Sequence, residues 1–417
     1  MTERSDIVIV GGGVGGAALA TTLARAGIAV LVLERTTVYP DLVRGEWIAP
    51  WGVCELQGLG LYEVVREAGG HHVSQHQSFE PGLSPESSAL SKLDLSALLP
   101  GAPGPLCIRH PDLCQVLIDQ AADAGATVRR GITDVRIDSA EQPVVTYRDA
   151  GATRQVSCRL IVGADGRGSP VRRQAGIELH RDPTHHLFGG MLVEGADAWP
   201  ADLQVIGTVG DVHFLIFPQG NGRARLYLGY AAEQAKRFAG HGGAAAFLDA
   251  FRLSCLPGSE HLAAAQPAGP CNSYPNEDTW TDTLYAPGVL LLGDAAGSND
   301  PIIGQGLSIA LRDVGLVRDA LLGNQTWSAG VFEAYATERR ERMRRLRFSA
   351  SVVSTLMNEF GPAADARRER VRERQMQNPS LVLPVMATLL GPHNIPAETF
   401  SDATRAQLFA DAATVEP

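Results

Sequence analysis

The sequence predicts an α/β protein in which a Rossmann-type nucleotide-binding domain carries an inserted antiparallel β-sheet and ends in a helical region. Three observations lead to this prediction. A strand–glycine turn–helix–strand unit opens the chain, two later apolar runs end in Asp-Gly or Gly-Asp pairs, and a strand-rich segment separates those pairs. We expect the nucleotide-binding domain in residues 1–72, 100–180 and 275–345, a second domain in residues 73–99 and 181–274, and a C-terminal helical region in residues 346–417.

The composition is that of a globular protein. Of the 417 residues 45% are hydrophobic and 20% are charged, and no apolar run approaches the ~18 residues of a membrane span. The net charge of −10 argues against a nucleic-acid partner and against an anionic membrane. The six cysteines form no C-x-x-C pair, and we expect no signal peptide, so the expected location is cytoplasmic. No pattern predicts an oligomeric state.

The first motif follows the predicted strand Ile7–Val10. It has the form G-x-G-x-x-G and precedes a helix of small residues, and an acidic residue ends the next strand. Glycines let the backbone approach a pyrophosphate, the helix start stabilises its charge, and the acid binds ribose hydroxyls. The unit predicts a dinucleotide, either NAD or FAD, in contact with Gly11, Gly13, Val14, Gly15, Gly16, Glu34 and Arg35.

Two arginines and a second strand-end motif are further candidates. Arg44 comes ten residues after Glu34, and Arg109 lies between a strand and a helix, so either could hold phosphates or form a surface ion pair. The apolar run Leu160–Gly163 leads to Asp165-Gly166. A lone Asp-Gly is a common turn, but beside a nucleotide-binding unit it predicts a second contact with the cofactor.

The third motif begins where the predicted strand Val289–Leu292 ends in Gly293-Asp294. After a loop, Pro301, Gly304, Gln305, Gly306 and Leu307 lead into a helix with one apolar face. A carboxylate at the end of a strand can accept hydrogen bonds from hydroxyl groups, and the start of a helix stabilises negative charge on an electron-rich ring. FAD has both, although an ordinary α/β core would show the same pattern. We expect Asp300, within the loop, to be more exposed than Asp294.

Between the second and third motifs lie strand-like runs that predict an antiparallel sheet above the cofactor. We expect residues 181–274 to decide which substrate is accepted. The candidate substrate contacts are Trp47, His213, Phe217 and Tyr227, with His213 and Tyr227 as weak acid–base candidates. Aromatic side chains in such strands are more often core than pocket residues, so a core role is the alternative. His71, His72 and His76 match no metal-site spacing, so no metal is expected.

Near the start of the C-terminal region, arginines cluster between positions 339 and 347. Glu338 with Arg342, and Glu341 with Arg345, are i,i+4 pairs typical of a solvated helix. We therefore expect this run to be a solvent-exposed helix face.

The three motifs in this order resemble the single-component FAD-dependent aromatic hydroxylases, the p-hydroxybenzoate hydroxylase-like monooxygenases, over residues 5–345. The resemblance implies an FAD-binding domain with an inserted substrate domain. It assigns the ADP part of FAD to the first motif, FAD and transient NADH or NADPH to Asp165 and Gly166, and the ribityl chain to Asp294. Arg109 matches a family arginine, and Pro301–Leu307 matches the P-x-x-G-Q-G segment beside the isoalloxazine. Gly297 and Ser308 differ from the His and Asn of many members.

The resemblance also implies the reaction. NAD(P)H reduces FAD, dioxygen forms a C4a-hydroperoxide, and one oxygen hydroxylates or epoxidises an aromatic, phenolic or polyketide-like small molecule. The helix start at Gly304–Leu307 would stabilise the reduced ring. The candidate catalytic residues are His213, Tyr227 and Pro301.

Three alternatives remain. A flavin reductase of isoprenoid double bonds shares all three motifs. A flavin-dependent halogenase shares the first, but its W-x-W-x-I-P signature is absent and only Lys92 and Lys236 could supply its lysine. An NAD-binding sensor would leave Gly293–Gly306 unexplained.

Overall fold

The computed structural model describes residues 3–43, 45–79, 88, 92–139 and 142–410. At its centre lies a twisted sheet, here called the cofactor sheet, whose strands are parallel except for one antiparallel edge strand. In spatial order its strands are Tyr285–Ala286, Val289–Leu291, Leu160–Gly163, Ile7–Val10, Val30–Glu34 and Thr127–Arg130.

The central strands of the cofactor sheet are continuous apolar runs, because helices cover both faces of a parallel sheet. Every residue of Ile7–Val10 and of Leu160–Gly163 is buried. The helix Val14–Arg25 contacts the helices His110–Asp123 and Gly306–Leu322. The first residues of these three helices, Val14, His110 and Gly306, all line one cavity.

A second large sheet, here called the roof sheet, comes mainly from the predicted strand-rich segment. Its neighbours are antiparallel except that Gln75–Phe79 runs parallel to Leu203–Val209. The other strands of the roof sheet are Leu93–Asp94, His186–Glu194, Val212–Gly220, Arg223–Tyr230, Gln266–Pro267 and Asn272–Asn276.

Smaller sheets complete the two layers. The hairpin Val144–Asp149 with Ala152–Ser157 turns at Ala150-Gly151, and both turn residues have positive φ. This hairpin pairs with Glu3–Arg4 and Thr133–Asp138. The remaining pairings join Leu106–Cys107 to Trp47–Ile48 and His71–His72, and His180–Arg181 to Thr279–Trp280.

Helices follow the last strand of the cofactor sheet to residue 409. The longest, Glu333–Met357, leads into Pro362–Gln377, Leu383–Leu390 and Asp402–Phe409. Shorter α-helices elsewhere are Pro50–Gly58, Tyr62–Glu67, Pro170–Gln174, Gly243–Asp249 and Ser259–Ala263. The 3₁₀ turns are Leu95–Ala97, Ala232–Gln234, Gly293–Ala296, Pro301–Ile303, Ala329–Phe332, Pro379–Val382, Pro392–Asn394 and Ala397–Phe400.

Within the described ranges, no helix combines the length and apolar character needed to cross a membrane. The α/β fold class predicted from the sequence is confirmed. The domain boundaries given above stay a prediction.

Candidate active site

A cavity of about 480 Å³ lies between the carboxyl ends of the cofactor sheet and the roof sheet. One side is formed by residues that follow three parallel strands, including Gly13, Gly166 and Asp294. The other side is formed by the roof, including His213, Phe217 and Tyr227. The structure therefore brings the three motifs and the candidate substrate residues to one cavity.

The first motif forms a tight turn at the start of the helix Val14–Arg25. Gly11 has φ of +105°, and a Cβ on Gly16 would overlap the Gly11 carbonyl, so both positions require glycine. A Cβ on Gly13 would meet nothing within 4 Å, so that glycine leaves open space beside the helix start. This is the concave, N–H-rich surface that a pyrophosphate needs.

Glu34 is buried behind this turn. Its Oε2 accepts a hydrogen bond from Gly12 N–H at 2.6 Å, and its Oε1 accepts from Thr36 N–H at 2.7 Å. The carboxylate therefore fixes the glycine turn itself. Arg35 is exposed, and Arg44 lies outside the described residues.

Several buried polar atoms around the cavity have no hydrogen-bond partner in the described part of the chain. They are Asp165 Oδ1, Arg109 Nε and Arg167 Nη2. The other oxygen of Asp165 accepts from Val171 N–H at 3.0 Å, and burial raises the pKa of this carboxyl group. Arg109 lies 3.6 Å from Asp112, which is too far for a hydrogen bond. These unpaired groups and the glycine cradle fit a ligand that carries phosphates and hydroxyls, as FAD does.

Asp294 follows the strand Val289–Leu291, is half-buried and lines the cavity. The turn that carries it is held from behind, where Gly293 N–H donates to Asp313 Oδ2 at 2.8 Å. Arg339 donates to the same carboxylate at 2.9 Å, and Arg342 donates to its other oxygen at 2.6 Å. Burial alone would raise the pKa of Asp313, but the two guanidinium groups outweigh it and lower that pKa.

The prediction of a solvated arginine face is wrong for two members of the run. Arg339 and Arg342 are each 2% exposed. Besides Asp313, Arg339 reaches three carbonyl oxygens of the turn, those of Gly293 at 2.9 Å, Ala296 at 2.9 Å and Gly297 at 3.0 Å. The helix Glu333–Met357 thus holds the Gly-Asp motif in place, a role that its i,i+4 pairs conceal in the sequence.

The two departures from the family pattern have structural reasons. Gly297 has φ of +106°, and a Cβ there would lie 2.5 Å from the Thr279 carbonyl oxygen, so a histidine does not fit. Ser308 is buried, and its Oγ accepts from Ala49 N–H at 3.2 Å. Both residues therefore serve local packing.

The segment Pro301–Leu307 lines the cavity and leads into the helix Gly306–Leu322. Gln305 is fixed in place because its Oε1 accepts from Trp51 Nε1 at 2.8 Å. Gly304 has φ of +64° and faces the Trp47 ring, while a Cβ on Gly306 would meet nothing within 4 Å. The first turn of this helix is therefore open to the cavity, as a site for a partly negative ring requires.

Asp300 is 1% exposed whereas Asp294 is half-buried, so the expectation that Asp300 is the more exposed of the two is wrong. Its Oδ1 accepts from Ile302 N–H at 2.9 Å and caps the Pro301–Ile303 turn. Burial, with a contribution from the Asp278 charge, raises its pKa to about 7. Its carboxylate also lies 3.6 Å from His185 Nδ1 and 3.9 Å from His186 Nε2.

Aromatic rings form much of the roof side. The Phe217 ring centroid lies 6.1 Å from both the Trp47 and Tyr227 centroids, and Tyr227 lies 6.3 Å from Phe188. Phe217 and Tyr227 are almost fully buried, and burial raises the pKa of Tyr227 well above its usual value. The four rings give one continuous apolar surface next to the cofactor side.

His213 is also buried in the roof and lies within hydrogen-bonding distance of the Gly207 carbonyl, at 2.9 Å from Nδ1. Because a carbonyl only accepts, Nδ1 carries the proton and Nε2 is left as an acceptor. Burial lowers the pKa of His213 to about 4, so the ring is neutral at neutral pH. It can accept a hydrogen bond but is a weak base.

Sequence reasoning missed two groups of cavity residues. The first is His76, Ser78 and Gln204, which belong to the parallel strand pair of the roof sheet. The second comes from the C-terminal helices and comprises Val353, Met357, Val385, Thr388 and Leu389. The roof was expected to supply the second wall of the cavity alone, whereas the structure adds a third wall. Only the apolar character of residues 381–390 hinted at it.

Glu46 lines the cavity at the junction between the two sheets. Arg225 of the roof donates from Nη2 to Glu46 Oε1 at 2.7 Å and to Asp41 Oδ2 at 2.9 Å. Gln219 donates to Glu46 Oε2 at 3.3 Å. This buried ion pair fixes the segment before Trp47 to the roof sheet. Among the described residues, no cluster of three or more His, Cys, Asp or Glu side chains could hold a metal ion.

Comparison with known proteins agrees with this geometry. A family model described as "FAD binding domain" matches residues 4–349. Squalene monooxygenase of Mus musculus is 26% identical over 378 residues, which are 88% of this chain and 64% of the mouse protein. The chain thus spans less than two thirds of that relative. Digeranylgeranylglycerophospholipid reductase 1 of Methanococcoides burtonii is 27% identical over 332 residues, which are 76% of this chain and 74% of that protein.

Among solved structures, p-nitrophenol 4-monooxygenase PnpA from Pseudomonas putida DLL-E4 superposes with a TM-score of 0.77 at 19% identity. The match covers 94% of this chain and 97% of PnpA, and at this identity it shows a shared fold. Because the family match extends over most of the chain, the chain belongs to the FAD binding domain family.

Proposed function

We propose that the chain is a monooxygenase that uses NADH or NADPH and O2 to hydroxylate or epoxidise an aromatic, phenolic or polyketide-like small molecule. The observation that supports this proposal is the shared cavity. Its cofactor side carries the three strand-end motifs, and its roof side carries a continuous apolar surface. Such an arrangement lets an apolar substrate lie against the cofactor away from bulk water.

On the cofactor side, the glycine turn and Arg109 would hold the phosphates, and Asp294 the ribityl hydroxyls. The helix start at Gly306 would stabilise negative charge on the ring system. When bound, FAD supplies hydride acceptance from the nicotinamide and activation of dioxygen. The chain itself would bind the cofactor and the substrate, orient them and shield them from water.

On the roof side, Trp47, Phe217 and Tyr227 would contact the substrate through their rings. His213, with Nε2 as acceptor, would orient a substrate hydroxyl group without removing its proton, since the low pKa makes the ring a poor base. Pro301 also lines the cavity and would position the substrate relative to the flavin.

The similarity to the reductase of Methanococcoides burtonii favours a second candidate, a flavin-dependent reductase of isoprenoid double bonds. The two functions differ in their use of oxygen. A monooxygenase consumes one O2 for each NAD(P)H when product forms, whereas a reductase converts its substrate without O2.

The test is a screen of phenols, polyketide-like aromatics and polyenes for stimulated NAD(P)H oxidation by the flavin-loaded protein. We expect stimulation by members of these classes and oxygenated product only in air. Conversion under anaerobic conditions to a saturated product would replace the proposal with the reductase function.

A further inference from the structure

Charged groups in the cavity are confined to its cofactor side and to one neutralised pair. Apart from histidine and tyrosine, the ionisable lining residues among those described are Glu46, Arg167 and Asp294. Arg167 directly follows Asp165-Gly166 of the second motif, and Asp294 belongs to the third motif. Glu46 is already paired with Arg225 and accepts from Gln219. Arg167, whose Nη2 has no hydrogen-bond partner among the described residues, lies with Asp294 on the cofactor side, so none of the three groups offers an unpaired charge on the roof side.

The lining of the roof and of the C-terminal wall carries no charged residue in the described part of the chain. Its polar groups form a directed chain. The Trp47 indole N–H can only donate, and it donates to Gln204 Oε1 at 2.9 Å. The Gln204 amide nitrogen then faces His76 Nδ1 at 3.2 Å, so Nδ1 accepts. The proton of His76 consequently lies on Nε2, 3.0 Å from Ser78 Oγ.

This directed chain satisfies His76 as a neutral ring. Burial lowers the pKa of His76 to about 4, and that of His213 likewise, so both rings stay neutral at neutral pH. A carboxylate bound here would lose its water without gaining a cation, which is strongly unfavourable. An apolar group would gain from the same burial.

The C-terminal wall extends this apolar surface. Val385, Thr388 and Leu389 follow the i, i+3, i+4 spacing of one face of the helix Leu383–Leu390, and all three line the cavity. Val353 and Met357 of the preceding long helix continue the wall. The hydroxyl of Thr388 is used within the helix, because it donates to the Val385 carbonyl at 2.8 Å.

We propose that the substrate is a neutral, largely apolar molecule without a carboxylate, and that the helix Leu383–Leu390 takes part in selecting it. This inference rests on the proposed function, because that function defines which bound molecule is the substrate. The inference itself concerns only which molecules bind. Its test therefore does not depend on oxygen chemistry.

The test measures binding to the flavin-loaded protein under argon without NAD(P)H, through the change in flavin absorbance. The probes are three acids and their methyl esters, namely 4-hydroxybenzoate, 6-hydroxy-2-naphthoate and farnesoate. We expect at least one ester to bind about 100-fold or more tightly than its acid. Equal or tighter binding of all three acids would overturn the proposal.

A matched pair of variants tests the role of the helix. Thr388→Lys adds an ammonium group to the cavity wall, and we expect it to strengthen acid binding at least ~10-fold. Met386→Lys lies on the same helix but not on the cavity lining, and acid binding should stay at the level of the parent. Retained FAD shows that both variants are folded. An equal gain in both variants, or in neither, would overturn the role of the helix.

The two proposals fail in different ways. If esters bind preferentially but no bound ligand is ever oxygenated in air, the monooxygenase function is wrong and the inference on the substrate stands. If an acid is the better ligand and is oxygenated, the function stands and this inference is wrong.

Discussion

The clearest consequence of the structure is that Arg339 holds the Gly-Asp motif in place, although it looks like a surface residue. Replacing it by methionine keeps an unbranched side chain of similar helix propensity but removes the guanidinium group. Four hydrogen bonds are lost, one to Asp313 and three to the carbonyls of Gly293, Ala296 and Gly297.

The magnitude follows from burial. Removing one partner of a buried ion pair costs about 3–5 kcal/mol. Arg342 remains 2.6 Å from the other oxygen of Asp313, so the carboxylate keeps one cation. We therefore expect Arg339→Met to lower the free energy of unfolding by about 3 kcal/mol, the lower end of that range. FAD affinity should also fall, because the released carbonyls flank Asp294.

The matched control is Arg340→Met. Arg340 is the next residue on the same helix, its side chain is 46% exposed, and it pairs with Glu333 at 3.0 Å. A surface pair of this kind contributes less than about 1 kcal/mol. Urea unfolding of the flavin-loaded and flavin-stripped proteins measures both effects. Coincident unfolding curves for the two variants would refute the role assigned to Arg339.

Three further predictions follow. Asp294→Ala should weaken FAD binding about 10- to 100-fold in equilibrium dialysis, since a hydrogen bond to a charged group contributes about 1.5–3 kcal/mol. The control is Asp282→Ala, which should leave FAD affinity unchanged because the Asp282 side chain is 79% exposed. Equal FAD affinities of the two variants would show that Asp294 does not contact FAD. Phe217→Ala should weaken substrate binding by about 1–3 kcal/mol and raise peroxide release without loss of FAD. Loss of FAD with unchanged substrate binding would show instead that Phe217 belongs to the protein core. Asp300→Asn should flatten the pH dependence of stability. The pKa of Asp300 is raised to about 7, so its contribution is full below about pH 4 and is lost as the pH rises through 7. If the melting temperature changes between pH 5 and pH 8 by the same amount in Asp300→Asn as in the parent protein, this prediction is wrong.

The elements that the sequence predicts well are those specified by local patterns. The strand Ile7–Val10 and its glycine turn are contiguous, and the apolar face of the helix Gly306–Leu322 has a clear helical period. Such patterns specify the fold class and bring the three motifs to one edge of one sheet.

The elements that the sequence does not predict depend on distant partners. Arg339 looks solvated because Glu338 and Arg342 form an i,i+4 pair, while its partner Asp313 lies 26 residues away. His76 meets Gln204 across 128 residues, through a parallel strand pairing that no local pattern encodes. Charge patterns along a helix report on neighbours in sequence, and tertiary contacts then decide which charges are buried.

The central claim is that the chain transfers one atom of dioxygen to an apolar substrate beside its flavin. The most direct test is turnover of the flavin-loaded protein with NAD(P)H and a ligand that stimulates its oxidation, under ¹⁸O2, followed by mass spectrometry of the product. The account predicts one ¹⁸O atom in each product molecule and none from labelled water. Product without the label, or a product that has gained only hydrogen, would contradict it.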